Sequence, residues 1–142
     1  MWLQELFSEL TKTFSSQKSF SITLYRYGLF SQRSLPRTLW IGSQREENSA
    51  LCTIADEIQN ICAELGHGKE EKLFHPHITI GRTKAQRRVA TNLIKRIENT
   101  TFEPIQFICS DIRIMKSTLQ QSGSLYSTLF TIPLKHIGET DG

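Results

Sequence analysis

One short segment concentrates the side chains that could do chemistry: it runs from Phe74 to Arg82 and reads FHPHITIGR. If this segment is a strand, alternate residues share a face, so His75, His77 and Thr79 project to the same side. Imidazole takes or gives a proton near neutral pH, and a threonine hydroxyl can donate a hydrogen bond to a phosphate oxygen. The spacing therefore favours acid–base chemistry on a phosphate ester.

Two other interpretations of this segment stay open on spacing alone. The two histidines and the threonine are equally compatible with an ordinary solvated sheet face. Histidines at positions i and i+2 of a strand can also chelate zinc, but a third ligand has to come from His67, His136 or a distant carboxylate. Strict alternation puts Arg82 on the opposite face, in a structural role, unless a bend at Gly81 redirects it.

Length and composition indicate one domain over residues 1–142, with its own core. The 142 residues are 38% hydrophobic and 22% charged, with a net charge of +3 at pH 7. A chain of this size needs neither disulfides nor a structural metal to fold. The three cysteines form no C-x-x-C pair, which predicts a reducing, cytoplasmic location. No apolar run approaches the roughly eighteen residues that predict a membrane span.

Hydrophobic periodicity predicts the elements that must position the segment. Apolar residues recur at helical spacing over residues 3–14, 46–65 and 89–99, with Asn48 and Ser49 as candidate caps of the second helix. Strands are predicted over residues 20–28, 38–41, 73–81, 105–116 and 125–134. This mixture of helices and adjacent strand pairs favours an α+β fold with a largely antiparallel sheet.

The residues of the segment resemble a known family. His77-Ile78-Thr79-Ile80 resembles the H-x-T-x signature of the 2H phosphoesterases. Its flanks resemble the branch of RNA 2′,3′-cyclic phosphodiesterases, also called 2′-5′ RNA ligases. Residues 36–42 are similar to the family's strand before its long helix, and residues 116–126 to its C-terminal hairpin. The resemblance implies a bilobal α+β fold and hydrolysis of RNA 2′,3′-cyclic phosphate ends to 2′-phosphates, without metal or cofactor.

The resemblance also implies roles for individual residues, with RNA ends or nucleotide cyclic phosphates as partners and no membrane. His77 corresponds to the proton acceptor and Thr79 to its phosphate-binding companion. Weaker candidates for phosphate binding are Arg82, Arg37 and Tyr126. A basic cluster forms a solvated face or, if functional, steers an RNA backbone toward the site. Its members are Arg82, Lys84, Arg87, Arg88, Lys95 and Arg96.

The sequence departs from the family in one respect: members carry two H-x-T-x motifs, and this chain carries one. The nearest upstream match, Ser21-Ile22-Thr23-Leu24, has serine in place of histidine and is explained by ordinary strand alternation. We therefore expect that at least ~30 residues of the N-terminal lobe are missing. The chain alone is then an impaired hydrolase or, alternatively, a non-catalytic module that binds RNA ends or nucleotide phosphates. The incomplete lobe also predicts self-association.

Overall fold

The computed structural model describes residues 2–32, 35–83 and 89–136. Within these ranges the helices are α1 (Trp2–Thr13), α2 (Ser49–Glu64) and α3 (Thr91–Asn99), and a turn of 3₁₀ helix (Arg45–Asn48) precedes α2. The strands are β1 (Phe20–Gln32), β2 (Leu35–Gly42), β3 (His77–Arg82), β4 (Thr101–Cys109), β5 (Asp111–Gln120) and β6 (Gly123–Pro133). None of the helices in the described ranges has the length and apolar character needed to cross a lipid bilayer.

The strands form two sheets. One has four strands in the order β3-β2-β1-β4, and the other is the hairpin of β5 and β6. Pairing is antiparallel between β1 and β2, between β2 and β3, and between β5 and β6. These sheets, together with the helices, confirm the predicted α+β class with antiparallel pairing.

The chain folds into two compact units, and each is assembled from separate stretches of sequence. The first comprises Met1–Ser21, Asp56–Glu71 and Ile108–Gly142, and contains α1 and the β5–β6 hairpin. The second comprises Ile22–Ala55 and Lys72–Phe107, and contains α3, β2, β3 and most of β1 and β4. The H-x-T-x segment therefore belongs to the second unit.

The core of the first unit is built on the apolar stripe of α1. Leu6, Leu10 and Phe14 recur every four residues, so they lie on one side of the helix, and all three are buried. Phe7, on the edge of this stripe, stacks on Phe130 of β6 with ring centroids 4.5 Å apart. Helical periodicity thus predicts both the helix and its buried face.

In the second unit a buried asparagine holds β1 in place. Asn48 is 3% exposed. Its Oδ1 accepts a hydrogen bond from the Thr23 backbone N–H at 2.9 Å, and its Nδ2 donates to the Thr23 carbonyl at 2.8 Å and to Ser43 Oγ. Asn48 was predicted as a helix cap, but its amide instead satisfies both backbone groups of one strand residue, much as a neighbouring strand does.

Several strand predictions differ from the structure. Two strands begin earlier than predicted, β2 at Leu35 and β6 at Gly123. The first strand continues past Gly28 to Gln32. The predicted strand over residues 105–116 is two strands, because β4 belongs to the four-stranded sheet and β5 to the hairpin, with Ser110 between them. The strand predicted from residue 73 begins only at His77, directly after buried Pro76, which has no N–H to donate to a ladder.

Candidate functional site

The H-x-T-x motif occupies one exposed face of β3. His77 pairs with Gly42 of β2, and Thr79 pairs with Trp40. Residues directly opposite one another in an antiparallel pair share a face, so His77 and Thr79 lie on the side of the sheet that carries the Trp40 side chain. Both motif residues are exposed. The structure therefore brings the predicted imidazole and hydroxyl together.

Arg82 lies on this same face, so the placement predicted from strict alternation is wrong. Thr79 pairs with Trp40, but Gly81 pairs with the next residue of β2, Leu39. Ile80, between Thr79 and Gly81, is therefore an extra residue without a partner on β2. Such a bulge moves every later side chain to the other face. Arg82 then comes opposite Thr38, and its Nη1 donates a hydrogen bond to Thr38 Oγ1 at 3.2 Å. Imidazole, hydroxyl and guanidinium thus share one side of β3.

The proton on the His77 ring is fixed by a backbone carbonyl. His77 Nδ1 lies 2.6 Å from the carbonyl oxygen of His75. Because a carbonyl oxygen can only accept, Nδ1 must carry the hydrogen of that bond. In the neutral ring, Nε2 is then unprotonated and is the atom that can accept a proton. This is the tautomer that a general base needs.

The rings of Phe30, Trp40 and His75 form what we call the aromatic floor of the site. Phe30 meets His77 edge-on with ring centroids 4.8 Å apart, and Trp40 lies 6.3 Å from His77. Trp40 is also packed against His75, at 4.6 Å. Tilted and edge-to-face contacts of this kind are favourable. The floor therefore restricts the orientation of both imidazoles.

The charges around the floor are positive. Burial lowers the pKa of His75 below its usual value, and the neighbouring charges of His77, Arg26 and Arg45 lower it further. His75 is therefore neutral at pH 7 and contributes packing rather than charge. Arg45 also donates a hydrogen bond to the Phe74 carbonyl, which anchors the start of the segment. Two guanidinium groups near the motif favour an anionic ligand such as phosphate.

Two weaker candidates have other surroundings. Arg37 Nη1 donates to the Thr83 carbonyl at 3.0 Å, and the Arg37 carbonyl accepts from the Thr83 N–H at 2.9 Å. Arg37 therefore joins β2 to the residue that follows β3, and its phosphate-binding role stays a prediction. Tyr126 belongs to the first unit, where it lies opposite Ser117 in the hairpin and is 59% exposed.

The basic cluster is only partly described. Lys84, Arg87 and Arg88 lie outside the described residues. Lys95 and Arg96 lie on α3, where both are exposed. The steering of an RNA backbone by this cluster therefore stays a prediction.

The zinc interpretation required a third ligand beside the two histidines of the segment. In ranges 2–32, 35–83 and 89–136, no group of three or more His, Cys, Asp or Glu side chains is close enough together to hold a metal ion. His67, one of the candidate ligands, packs against Trp2 in the first unit with ring centroids 4.2 Å apart.

Phe30 was not predicted as a site residue, because the first strand was taken to end at Gly28. The signal was nevertheless present, since the period-two series of Phe20, Ile22 and Leu24 continues through Arg26 and Gly28 to Phe30. Trp40 was predicted as a core residue, and it is buried, but its contacts with His75 and His77 could not be read from periodicity.

The fold is that of solved phosphoesterase structures. E. coli LigT in its apo form has a TM-score of 0.65 and 23% identity, and the match covers 93% of this chain and 67% of that one. E. coli LigT with 3′-AMP has a TM-score of 0.63 and 24% identity, and the match covers 92% of this chain and 68% of that one. At these identities the likeness defines the class of fold, a LigT-type α+β architecture.

The family follows from sequence comparison. The model of the 2′-5′ RNA ligase superfamily matches residues 1–121, so the chain belongs to that superfamily. An RNA 2′,3′-cyclic phosphodiesterase of Thermotoga maritima is 33% identical over 128 residues, which are 90% of this chain and 65% of that protein. One from Aeropyrum pernix is 30% identical over 115 residues, or 80% and 64%. The chain spans about two thirds of the length of these relatives, and the predicted family is confirmed.

Proposed function

We propose that the chain acts on RNA 2′,3′-cyclic phosphate ends and opens them to 2′-phosphomonoesters without a metal ion. The observation that carries this proposal is the exposed face of β3, where His77 directs Nδ1 to the His75 carbonyl and lies on the same side as the Thr79 hydroxyl. In the neutral ring this leaves Nε2 as the atom that can accept a proton. The names of the Thermotoga and Aeropyrum relatives support the choice of a cyclic phosphodiester as substrate.

The proposed reaction uses His77 as the base. His77 Nε2 takes a proton from a water molecule as the water oxygen attacks phosphorus. The bond between phosphorus and the 3′ oxygen breaks, and the phosphate stays on the 2′ oxygen. Thr79 and Arg82, on the same face, bind the phosphate oxygens. The departing 3′ oxygen needs a proton, and with one H-x-T-x motif in the chain we propose that a second water molecule supplies it, slowly. The hydroxide left behind then takes the proton held on His77 Nε2, which restores the base.

Hydrolysis of an oligonucleotide that ends in a 2′,3′-cyclic phosphate tests this function. We expect a 2′-phosphate product, formed about 10²- to 10⁴-fold more slowly than by the Thermotoga relative, because one positioned acid contributes that factor. A 3′-phosphate product would contradict the proposed bond cleavage. A rate equal to that of the Thermotoga relative would contradict the impairment.

A second candidate function is binding of RNA ends or nucleotide phosphates without turnover. The single H-x-T-x motif favours it, since binding needs one set of phosphate ligands and hydrolysis needs both a base and an acid. This function predicts that the same oligonucleotide binds without product, that His77 and Thr79 are required, and that added salt weakens binding.

We also propose a cytoplasmic location. An odd number of cysteines without a C-x-x-C pair is typical of proteins in a reducing compartment.

Self-association is a further part of the proposal, and the β5–β6 hairpin is the surface that supports it. In this sheet each strand pairs only with the other among the described residues, so each has an outer edge that can accept another strand. No charged residue occurs between Ser117 and Leu134, so two copies can approach here without like-charge repulsion. Leu119 and Leu125 are 85% and 56% exposed.

Light scattering coupled to size-exclusion chromatography tests this surface. We expect the mass of a dimer or larger species at micromolar concentration, and a shift toward the monomer in Leu119→Lys, because a lysine at a sheet edge opposes pairing. Leu73→Lys is the matched control, since Leu73 is 74% exposed but lies in the second unit. A monomer at every concentration, or an equal effect of both lysines, would count against the hairpin.

A further inference from the structure

Two glycines of the four-stranded sheet lie next to the aromatic floor. Gly28 is directly opposite Trp40 on β1, and Gly42 follows two residues after Trp40 on β2. Neither has a positive φ, so the backbone at both positions suits any residue. A requirement for glycine at these positions therefore comes from space alone.

At Gly28 the space is filled by the Trp40 ring. A Cβ added there would lie 2.5 Å from Trp40 Cε2 and would overlap Cζ2 and Cη2. Trp40 is only 6% exposed, and its indole is a rigid ring rather than the end of a flexible chain. Any side chain at position 28 must therefore push the indole away from its position over the sheet.

At Gly42 the space is filled by the backbone of the motif segment. A Cβ added there would overlap the carbonyl oxygen of Pro76 and would lie 2.9 Å from Trp40 Cζ3. Pro76 is the residue between His75 and His77, and it is buried. Both glycines therefore let the segment and the indole lie close to the sheet.

We propose that Gly28 is a positioning residue for His77, although it lies two strands away. Gly28 leaves the space in which the Trp40 ring lies over β1. Trp40 packs against His75, and the His75 carbonyl fixes the hydrogen of His77 on Nδ1. The inference takes from the proposed function only that His77 is the reacting imidazole.

Long-range ¹H–¹⁵N NMR of the His77 ring nitrogens tests the inference without any need for turnover. The spectra are recorded at a pH high enough for histidine side chains to be neutral. In the unaltered chain we expect the Nδ1–H tautomer. In Gly28→Ala we expect the tautomer ratio to move by about 5- to 10-fold toward Nε2–H, the effect of losing one hydrogen bond. Gly81→Ala is the matched control: Gly81 lies on β3 with nothing within 4 Å of an added Cβ, so the ratio should stay unchanged.

A double variant separates positioning from folding. Trp40→Leu removes the ring that an added Cβ would strike, so we expect it to disturb the tautomer ratio by itself and to remain informative if Gly28→Ala does not fold. Gly28→Ala added to Trp40→Leu should then change the ratio no further, because the two changes act through one contact.

Three results would overturn the inference: an Nε2–H tautomer in the unaltered chain, an unchanged ratio in Gly28→Ala or in Trp40→Leu, or an equal shift in Gly81→Ala. Failure of the proposed function has a different signature. In that case the oligonucleotide is neither bound nor hydrolysed by the unaltered chain, while the tautomer ratios still respond to Gly28→Ala and not to Gly81→Ala.

Discussion

Replacement of His77 by glutamine is expected to lower the rate of cyclic-phosphate opening by about 10²- to 10⁴-fold below that of the unaltered chain. Glutamine can keep a hydrogen bond to the His75 carbonyl, but its amide does not take a proton near neutral pH. The group lost is His77 Nε2, the proposed proton acceptor. Single-turnover rates, with the protein in excess over the oligonucleotide, measure this difference even when turnover is slow.

The control for this prediction is His67→Gln. His67 is exposed and packs against Trp2 in the first unit, so the rate should be unchanged. Fluorescence anisotropy with the same oligonucleotide shows whether the His77 variant still binds the RNA end. If the His77→Gln rate matched that of the unaltered chain, His77 would not be the base.

Replacement of Asn48 by alanine is expected to lower the free energy of unfolding by about 2–6 kcal/mol. The reason is that it removes the partners of two part-buried backbone groups, the N–H and the carbonyl of Thr23, at about 1–3 kcal/mol each. A loss of this size is a large part of the stability of an ordinary domain. Urea denaturation followed by circular dichroism measures it, from the midpoint and the slope of the transition.

Asn60→Ala is the matched control for the loss of an asparagine. Asn60 is exposed on α2, where alanine is the better helix former, so stability should be unchanged or slightly higher. Asn48→Asp keeps the acceptor for the Thr23 N–H, and an ionised carboxylate has no donor for the Thr23 carbonyl. Its cost should therefore be smaller at low pH, where the protonated carboxyl can donate its O–H to that carbonyl. Equal stabilities of Asn48→Ala and Asn60→Ala would show that the Thr23 bonds contribute little.

Features encoded within a few residues could be predicted from the sequence. The amphipathic stripe of α1 has helical spacing, and the shared face of His77 and Thr79 follows from the period of a strand. Both depend only on neighbours along the chain. The α+β class and the family follow from the order of such segments and from the motif they carry.

Features that depend on pairing between distant strands could not be predicted. The face on which Arg82 lies depends on Ile80, which has no partner on β2. Ile80 is an extra residue only because of how β3 pairs with β2, and this pairing is not visible in the sequence of β3. The separation of β4 from β5 arises because they join different sheets, and no glycine or proline marks the break at Ser110. Asn48 looks like a helix cap locally, but its partner is a strand twenty-five residues earlier.

The discontinuous composition of the two units has a consequence for synthesis on the ribosome. The second unit is complete once Phe107 has been made, whereas the first unit needs both its opening segment and residues from Ile108 onward. During translation, the sheet that carries His77 can therefore assemble while the hairpin is still inside the exit tunnel, and α1 must wait for its partner β6. The nascent chain thus acquires its candidate catalytic face before it acquires the hairpin of β5 and β6.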